Sequence, residues 1–312
     1  MILSVLLYCR ADRQKRWFEA LKSAIPGNDI RVWPDIGDPR DVEIIVAMSR
    51  PPIDLTIFPK LRFIATTGAG VDYLLGPPPT IPDDIPIVRV VDPMLTRSMA
   101  EYVLTAVLRY HRRFHYYEAA QRSAQWSPLP RRDPADETVG VLGLGVLGTA
   151  AAQMLAQFGF KVCGWSKSPK RINGITCFNG PLGLVEMLPA VNILVCMLPL
   201  TSDTLGIINK DLLTRLPRNS TLINVGRGRQ VVEADLLAAL ESGQLDHATL
   251  DVFEEEPLST SHPFWHHPRI TVTPHVAGLT VPESAAKGIA DALECERAGR
   301  PLPNLVDRNR GY

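Results

Sequence analysis

Excess charge is missing from this chain of 312 residues, in which 33 lysines and arginines face 33 aspartates and glutamates. With no surplus of either sign, nothing draws the whole chain toward nucleic acid or an anionic membrane, and neither is expected as a partner. Cysteine is scarce as well. Five residues, an odd number without framework spacing, exclude a disulfide scaffold. Cys9, Cys163 and Cys196 lie in apolar runs, where cysteine acts as a small buried hydrophobe, and this usage fits a reducing cytoplasm. The opening MILSVLLYCR has no basic residue ahead of its apolar run, which is too short for a secretory signal or a membrane span and reads as a core strand.

What is present is the length for about two domains at roughly 150 residues each. Residues 1 to 97 alternate short apolar runs (SVLLYC, IRVW, EIIVAM, LRFIATT, IPIVRV) with helical or turn-rich connectors, the rhythm of a parallel sheet built from βα units. One long helical pattern then runs from Ser98 to Ser123 and stops at WSPLPRRDPADE, whose prolines forbid regular structure. From Thr138 the βα rhythm restarts. A strand to Leu142 is followed by a helix over 146–158, then strands KVCGW, VNILVCM, TLINVG, HATLDVF and RITVTPH alternate with helices near 182–188, 210–216 and 233–242, the last closed by Gly243. A final helix spans about 282–298. The fold class expected is α/β with two doubly wound parallel-sheet domains, whose ligands bind beyond the carboxyl ends of the strands.

The first chemical signal is VGVLGLGVLG, a buried strand running into Gly143-x-Gly145-x-x-Gly148 and an apolar helix. That spacing suits a sharp turn at Gly143, close backbone approach to a pyrophosphate at Gly145 and tight helix packing at Gly148, with the helix N-terminus facing the anion. About 20 residues further on, an NAD site wants a carboxylate for the ribose 2′-OH. None exists. Between Glu137 and Glu186 the chain has no acid at all, and the strand ends in Trp165, Ser166, Lys167 and Ser168, whose hydroxyls and ammonium suit a 2′-phosphate. NADPH is therefore expected over NADH, although a basic loop can also simply face water.

Three polar residues follow strands of the downstream half: Arg227 after TLINVG, Glu256 after HATLDVF, and His275 ending RITVTPH. Singly, each reads as a surface cation, part of an acidic run and a loop histidine. Together at carboxyl ends, beside a dinucleotide turn, they read as a site. In the first domain LRFIATT exits into Gly68-Ala69-Gly70-Val71-Asp72, where successive N–H groups suit an anion if the segment is more than an ordinary turn.

The segments GLGVLG, NVGRG, LDVFEEEPL and TPHVAG resemble, in order and spacing, the signatures of the D-isomer-specific 2-hydroxyacid dehydrogenases, and the likeness runs almost end to end. Within that family AIPGNDIRVW, FIATTGAGVD, QWSPLP, GIIN, HPRITVTPHVA and VDRNRGY resemble the glyoxylate/hydroxypyruvate reductase A branch. The resemblance implies a flavodoxin-like substrate domain over 1–97 and 279–312, with a Rossmann-type NADP-binding domain over 98–278 inserted in it. It implies NADPH-dependent reduction of small 2-oxo acids, with Arg227 gripping carboxylate or ketone oxygen, His275 as proton donor and Glu256, the glutamate before proline, orienting the ring. It extends the coenzyme contacts to Val146, Leu147, Leu198, Pro199, Val225, Gly226, Arg227, Asp251, His275 and Ala277. Substrate contacts would come from Ala69, Gly70, Val71, Arg227 and His275, and Trp126 either reaches a partner subunit's substrate site in a homodimer or anchors its own loop. So small a substrate needs a cleft that closes, with hinges near Ser98 and Gly278.

Other readings stay open at this point. A nucleotide-sensing regulator of the corepressor type shares the fold and the three residues. A family dehydrogenase for a bulkier 2-oxo acid is a second alternative. Glu256 speaks against formate dehydrogenases, which pair Gln with His, and 312 residues leave little room for a phosphoglycerate enzyme's regulatory domain. His262, His266, His267 and His275 lack a settled zinc spacing, so no metal is expected.

Overall fold

The structure, a computed structural model, describes residues 2–76 and 81–312. Two compact units emerge, Met1–Leu95 with Thr280–Tyr312, and Thr96–Leu279. The first break falls inside a helix, two residues before the boundary expected from sequence.

The first unit is built on five strands: β1 (Ser4–Tyr8), β2 (Asp29–Val32), β3 (Val42–Ala47), β4 (Phe63–Thr66) and β5 (Ile87–Val88). All pair in parallel in the order β2-β1-β3-β4-β5, the flavodoxin-like order. β1, β3 and β4 are buried along nearly their whole length, with Glu43 of β3 the one charged residue among them, as strands covered on both sheet faces are. Helix α1 (Ala11–Ala24) buries Trp17, Ala20 and Leu21 at helical spacing, whereas α2 (Asp72–Leu75) is a single turn after β4.

Helix α3 (Pro93–His111) leads into the second unit. The single helix expected over 98–123 is in fact two, because Arg113 takes a left-handed φ of 57° and α4 (Phe114–Arg122) restarts in a new direction. Arg109 and Glu118 pair across the break. Beyond the proline-rich loop come β6 (Thr138–Leu142), α5 (Val146–Phe158), β7 (Lys161–Ser166), β8 (Thr176–Asn179), α6 (Gly180–Met187), β9 (Ile193–Cys196), α7 (Lys210–Leu213), β10 (Ser220–Asn224), α8 (Glu233–Glu241), β11 (Leu245–Leu250) and β12 (Ile270–Val272). The seven strands are all parallel, ordered β12-β11-β10-β9-β6-β7-β8. The order reverses between β6 and β9, which makes the carboxyl ends there the crevice where open α/β sheets bind ligands. Edge strand β8 carries no sequence signal, since none of TCFN is fully buried and no alternation marks it.

The last helix, α9 (Pro282–Arg297), belongs to the first unit. Its Ala285, Ala286, Ile289, Ala292 and Leu293 share a core with Leu3, Val5, Leu7 and Trp17. The second unit has its own core of Leu142, Leu194, Cys196, Leu222, Leu236 and Leu250. All five cysteines are free thiols, and burial pushes Cys196 up to about 12 and Cys9 and Cys163 to about 11, as inert core residues require. Among the described residues no helix is long and apolar enough to cross a membrane.

Candidate active site

The glycine turn stands where the sheet order reverses. Gly143 adopts φ +102°, a conformation that L side chains rarely reach, and donates its N–H to the Trp165 carbonyl at 2.8 Å. A Cβ on Gly148 would run into the Gly143 carbonyl, so only glycine lets α5 pack this close to the turn. A Cβ on Gly145 would meet nothing within 4 Å. Open space therefore fronts the start of α5, which has no side-chain cap, and its first N–H groups lack partners within the helix. Val146 and Leu147 border that space, and Val146 is exposed. The turn fits a pyrophosphate.

The loop after β7 differs from expectation in two ways. The Trp165 side chain is buried in the core, where its indole donates to the Gly180 carbonyl at 2.8 Å, so it offers a coenzyme no side-chain contact. Ser166 donates its hydroxyl to the Ser168 carbonyl at 2.8 Å, which fixes the loop. Lys167 is not far from any acid after all: Asp203, 36 residues on, approaches its Nζ to 2.6 Å. The pair is exposed, so the ammonium can be shared with an incoming phosphate.

At the next strand ends, Leu198, Val225 and Ala277 have buried side chains and can present only backbone to a ligand, while Pro199 is partly open. A residue missed from sequence organises them. Gln230, fully buried, donates to the carbonyls of Leu198 and Pro199 at 2.9 and 3.1 Å and accepts the Arg227 N–H at 2.8 Å. Asn224 closes the same turn, accepting from Gly226 N–H at 3.1 Å and donating to the Arg227 carbonyl at 2.9 Å. The Arg227 backbone is thus fixed on both sides. A Cβ on Gly228 would overlap the carbonyl of Phe253, so the segment carrying Arg227 is pressed against the one that leads to Glu256.

Glu256 and His275 meet. Nδ1 of His275 lies 2.6 Å from Oε2 of Glu256, and Oε1 accepts the Phe253 N–H at 3.0 Å. Burial pushes the Glu256 carboxyl up, but the hydrogen bonds from His275 and Phe253, helped by the charges of His275 and Arg227, hold it below its ordinary value of 4.5. His275 has φ +53°, unusual for a residue with a side chain, and its N–H is anchored to the Asp251 carbonyl at 2.8 Å. Its side chain is 47 % exposed, so it is not a core histidine.

Asp251 holds that strained loop. The buried carboxylate takes the Thr273 hydroxyl at 2.6 Å and the Val276 N–H at 2.9 Å on one oxygen, and the Ala277 N–H at 2.9 Å on the other. Tyr102 of α3 in turn reaches Thr273 at 2.5 Å. Three donors from its own chain make Asp251 first a positioning residue for His275, a role the sequence did not reveal.

In the first unit Gly68, Ala69 and Gly70 are partly open, whereas the Val71 side chain is buried, leaving only its backbone for a ligand. Trp126 is 98 % exposed, which removes the reading as an anchor of its own loop. Of the histidines considered for zinc, His262 pairs with Glu233 and His275 with Glu256. Among the described residues, those that do converge as metal-ligating groups are His115, Asp246 and His247.

The model of the D-isomer specific 2-hydroxyacid dehydrogenase NAD-binding domain matches residues 104–277. Glyoxylate/hydroxypyruvate reductase A of Yersinia enterocolitica is 40 % identical over 99 % of this chain and 100 % of its own. A D-isomer specific 2-hydroxyacid dehydrogenase from Xanthobacter autotrophicus, solved with NADPH and MES, is 42 % identical with a TM-score of 0.95, each chain covered completely. The NADPH-dependent glyoxylate/hydroxypyruvate reductase of Sinorhizobium meliloti, solved with NADP and sulfate, is 37 % identical with a TM-score of 0.93, over 99 % of this chain and 100 % of that one.

Proposed function

This chain belongs to the D-isomer-specific 2-hydroxyacid dehydrogenases, and from that premise we propose that it reduces glyoxylate and hydroxypyruvate with NADPH. The observation that carries the reading is the 2.6 Å contact between His275 Nδ1 and Glu256, at strand ends that also deliver Arg227.

Gly143, Gly145, Val146, Leu147 and Gly148 hold the pyrophosphate, and Ser166, Lys167 and Ser168 hold the 2′-phosphate. The backbone at Leu198, Pro199, Val225, Gly226 and Ala277 lines the remainder of the coenzyme. Bound NADPH supplies the hydride to the carbonyl carbon. Arg227 grips the 2-oxo acid with its planar guanidinium, which pairs with oxygen atoms as Lys could not. As the carbonyl oxygen gains the C=O electron pair, His275 gives it the proton on Nε2, because Nδ1–H is committed to Glu256. The ring is left neutral and takes its next proton from water. Glu256 holds the ring's orientation through the 2.6 Å contact with Nδ1.

We also read the protein as a cytoplasmic homodimer in which Trp126 reaches the partner's substrate site, a reading that its near-complete exposure supports. A panel of 2-oxo acids assayed with NADPH and NADH tests the whole proposal. Glyoxylate and hydroxypyruvate with NADPH give the highest kcat/KM. Preference for NADH, or no turnover of any 2-oxo acid, overturns it.

A further inference from the structure

One cluster of imidazoles and carboxylate takes no part in this chemistry. His115 lies in the first turn of α4, and Asp246 and His247 begin β11. Neighbours on a regular strand point to opposite faces, yet these two side chains converge. The register explains it. Ser220 pairs with Leu245 and Thr221 with His247, so Asp246 is an inserted bulge residue, and bulges re-aim the side chain they carry.

Oδ2 of Asp246 lies 3.5 Å from Nε2 of His115 and 3.4 Å from Nδ1 of His247. Both separations are long for a hydrogen bond between such groups. They match the edges, roughly 3.3–3.5 Å, of a tetrahedron whose centre is about 2.0–2.1 Å from each nitrogen and oxygen, as in a zinc site. One ligand atom from each residue lies within 4.8 Å of the others, and the two rings face each other at 4.1 Å between centroids. Each imidazole is 13 % exposed, and the Tyr110 ring packs on both at 5.3 and 5.6 Å. Nδ1 of His247 and Nδ1 of His115 are buried and make no hydrogen bond.

We propose that His115, Asp246 and His247 bind one divalent cation of the zinc class, with water in the fourth position, and so tie α4 to the start of β11. Two imidazoles and one carboxylate are a borderline donor set that suits Zn²⁺ and also accepts Co²⁺ and Ni²⁺. The cluster sits at the amino end of β11, whereas Glu256 and His275 follow carboxyl ends. Five residues of strand separate Asp246 from Asp251, on the order of 15 Å, so the ion is structural and does not touch the reaction.

The test is titration of chelator-treated protein with Co²⁺, then with Zn²⁺. One equivalent of Co²⁺ should give visible ligand-field absorption that Zn²⁺ displaces, and Zn²⁺ at a hundredfold excess over Kd should raise Tm by about 5 °C. His115→Gln and His247→Gln should each abolish both signals while NADPH-dependent turnover changes less than twofold, which also proves the variants folded. Absence of stoichiometric binding overturns the proposal. So does binding that survives both substitutions, or that His262→Gln removes instead.

Discussion

Two of the imidazole–carboxylate groupings in the second unit stand near opposite ends of β11, and they differ in spacing and in how enclosed their imidazoles are. At the carboxyl end His275 and Glu256 are in short contact, 2.6 Å, with side chains 47 % and 35 % exposed. At the amino end His115 and His247 approach Asp246 only to 3.5 and 3.4 Å, nearly enclosed under Tyr110. A different backbone irregularity builds each: a left-handed residue at His275 and a bulge at Asp246. A short, outward-facing pair can pass a proton to something that arrives from solvent. The looser trio, with two sheltered imidazoles around an Asp246 side chain 45 % exposed, has instead a spacing that suits an ion. Geometry, not composition, divides the two jobs.

The comparison breaks most visibly at the two histidines. His275→Ala should lower kcat for glyoxylate reduction by about 10²–10⁴-fold, the usual contribution of a positioned acid, with KM for NADPH little changed. His247→Gln should cost less than twofold in the same assay. Steady-state kinetics of both variants decides the matter. Comparable losses in the two would mean that the clusters act as one system and that the division of labour is wrong.

A smaller effect tests how the His275–Glu256 pair is held. Asp251→Asn keeps the shape of the side chain but replaces one acceptor oxygen with a donor NH₂, setting donors against the N–H groups of Val276 or Ala277. A buried N–H left unpaired costs about 1–3 kcal/mol. Tm should fall by several degrees and kcat by about tenfold, while KM for NADPH moves little. If KM for NADPH rises steeply with kcat intact, Asp251 is chiefly a coenzyme ligand.

What was legible in the sequence was what neighbours along the chain determine. The strand ending at Leu142 and the helix starting at Val146 follow from apolar runs split by glycines, and Arg227, Glu256 and His275 stand out because each follows such a run. What stayed hidden depends on residues far apart. Nothing near Lys167 announces Asp203, and nothing near Arg227 announces that Gln230 ties it to Leu198 and Pro199. Arg113 breaks the long helix without the glycine or asparagine that usually marks a left-handed residue. The bulge at Asp246 is likewise silent, because it arises only when β11 is laid against β10. Trp165 differs for the opposite reason: its position at the end of β7 is local, but the turn of its ring into the core is not.

The smallest effect is also the sharpest probe of the exposed pair. Because the Glu256 carboxyl is held below its ordinary 4.5 in the folded protein, its ionised form stabilises the fold. That contribution is complete above pH about 4.5 and disappears as pH falls through the lower folded value. Glu256→Gln keeps an acceptor for the Phe253 N–H but has no charge to lose. At pH 7 the variant should therefore melt about 2 °C below the wild type, the modest worth of a partly exposed pair. As pH drops below 4.5 the two melting curves should converge, and calorimetry across pH 3–7 reads the convergence directly. A gap that stays constant over that range would mean that the pair's stability comes from packing alone, leaving Glu256 no electrostatic hold on His275.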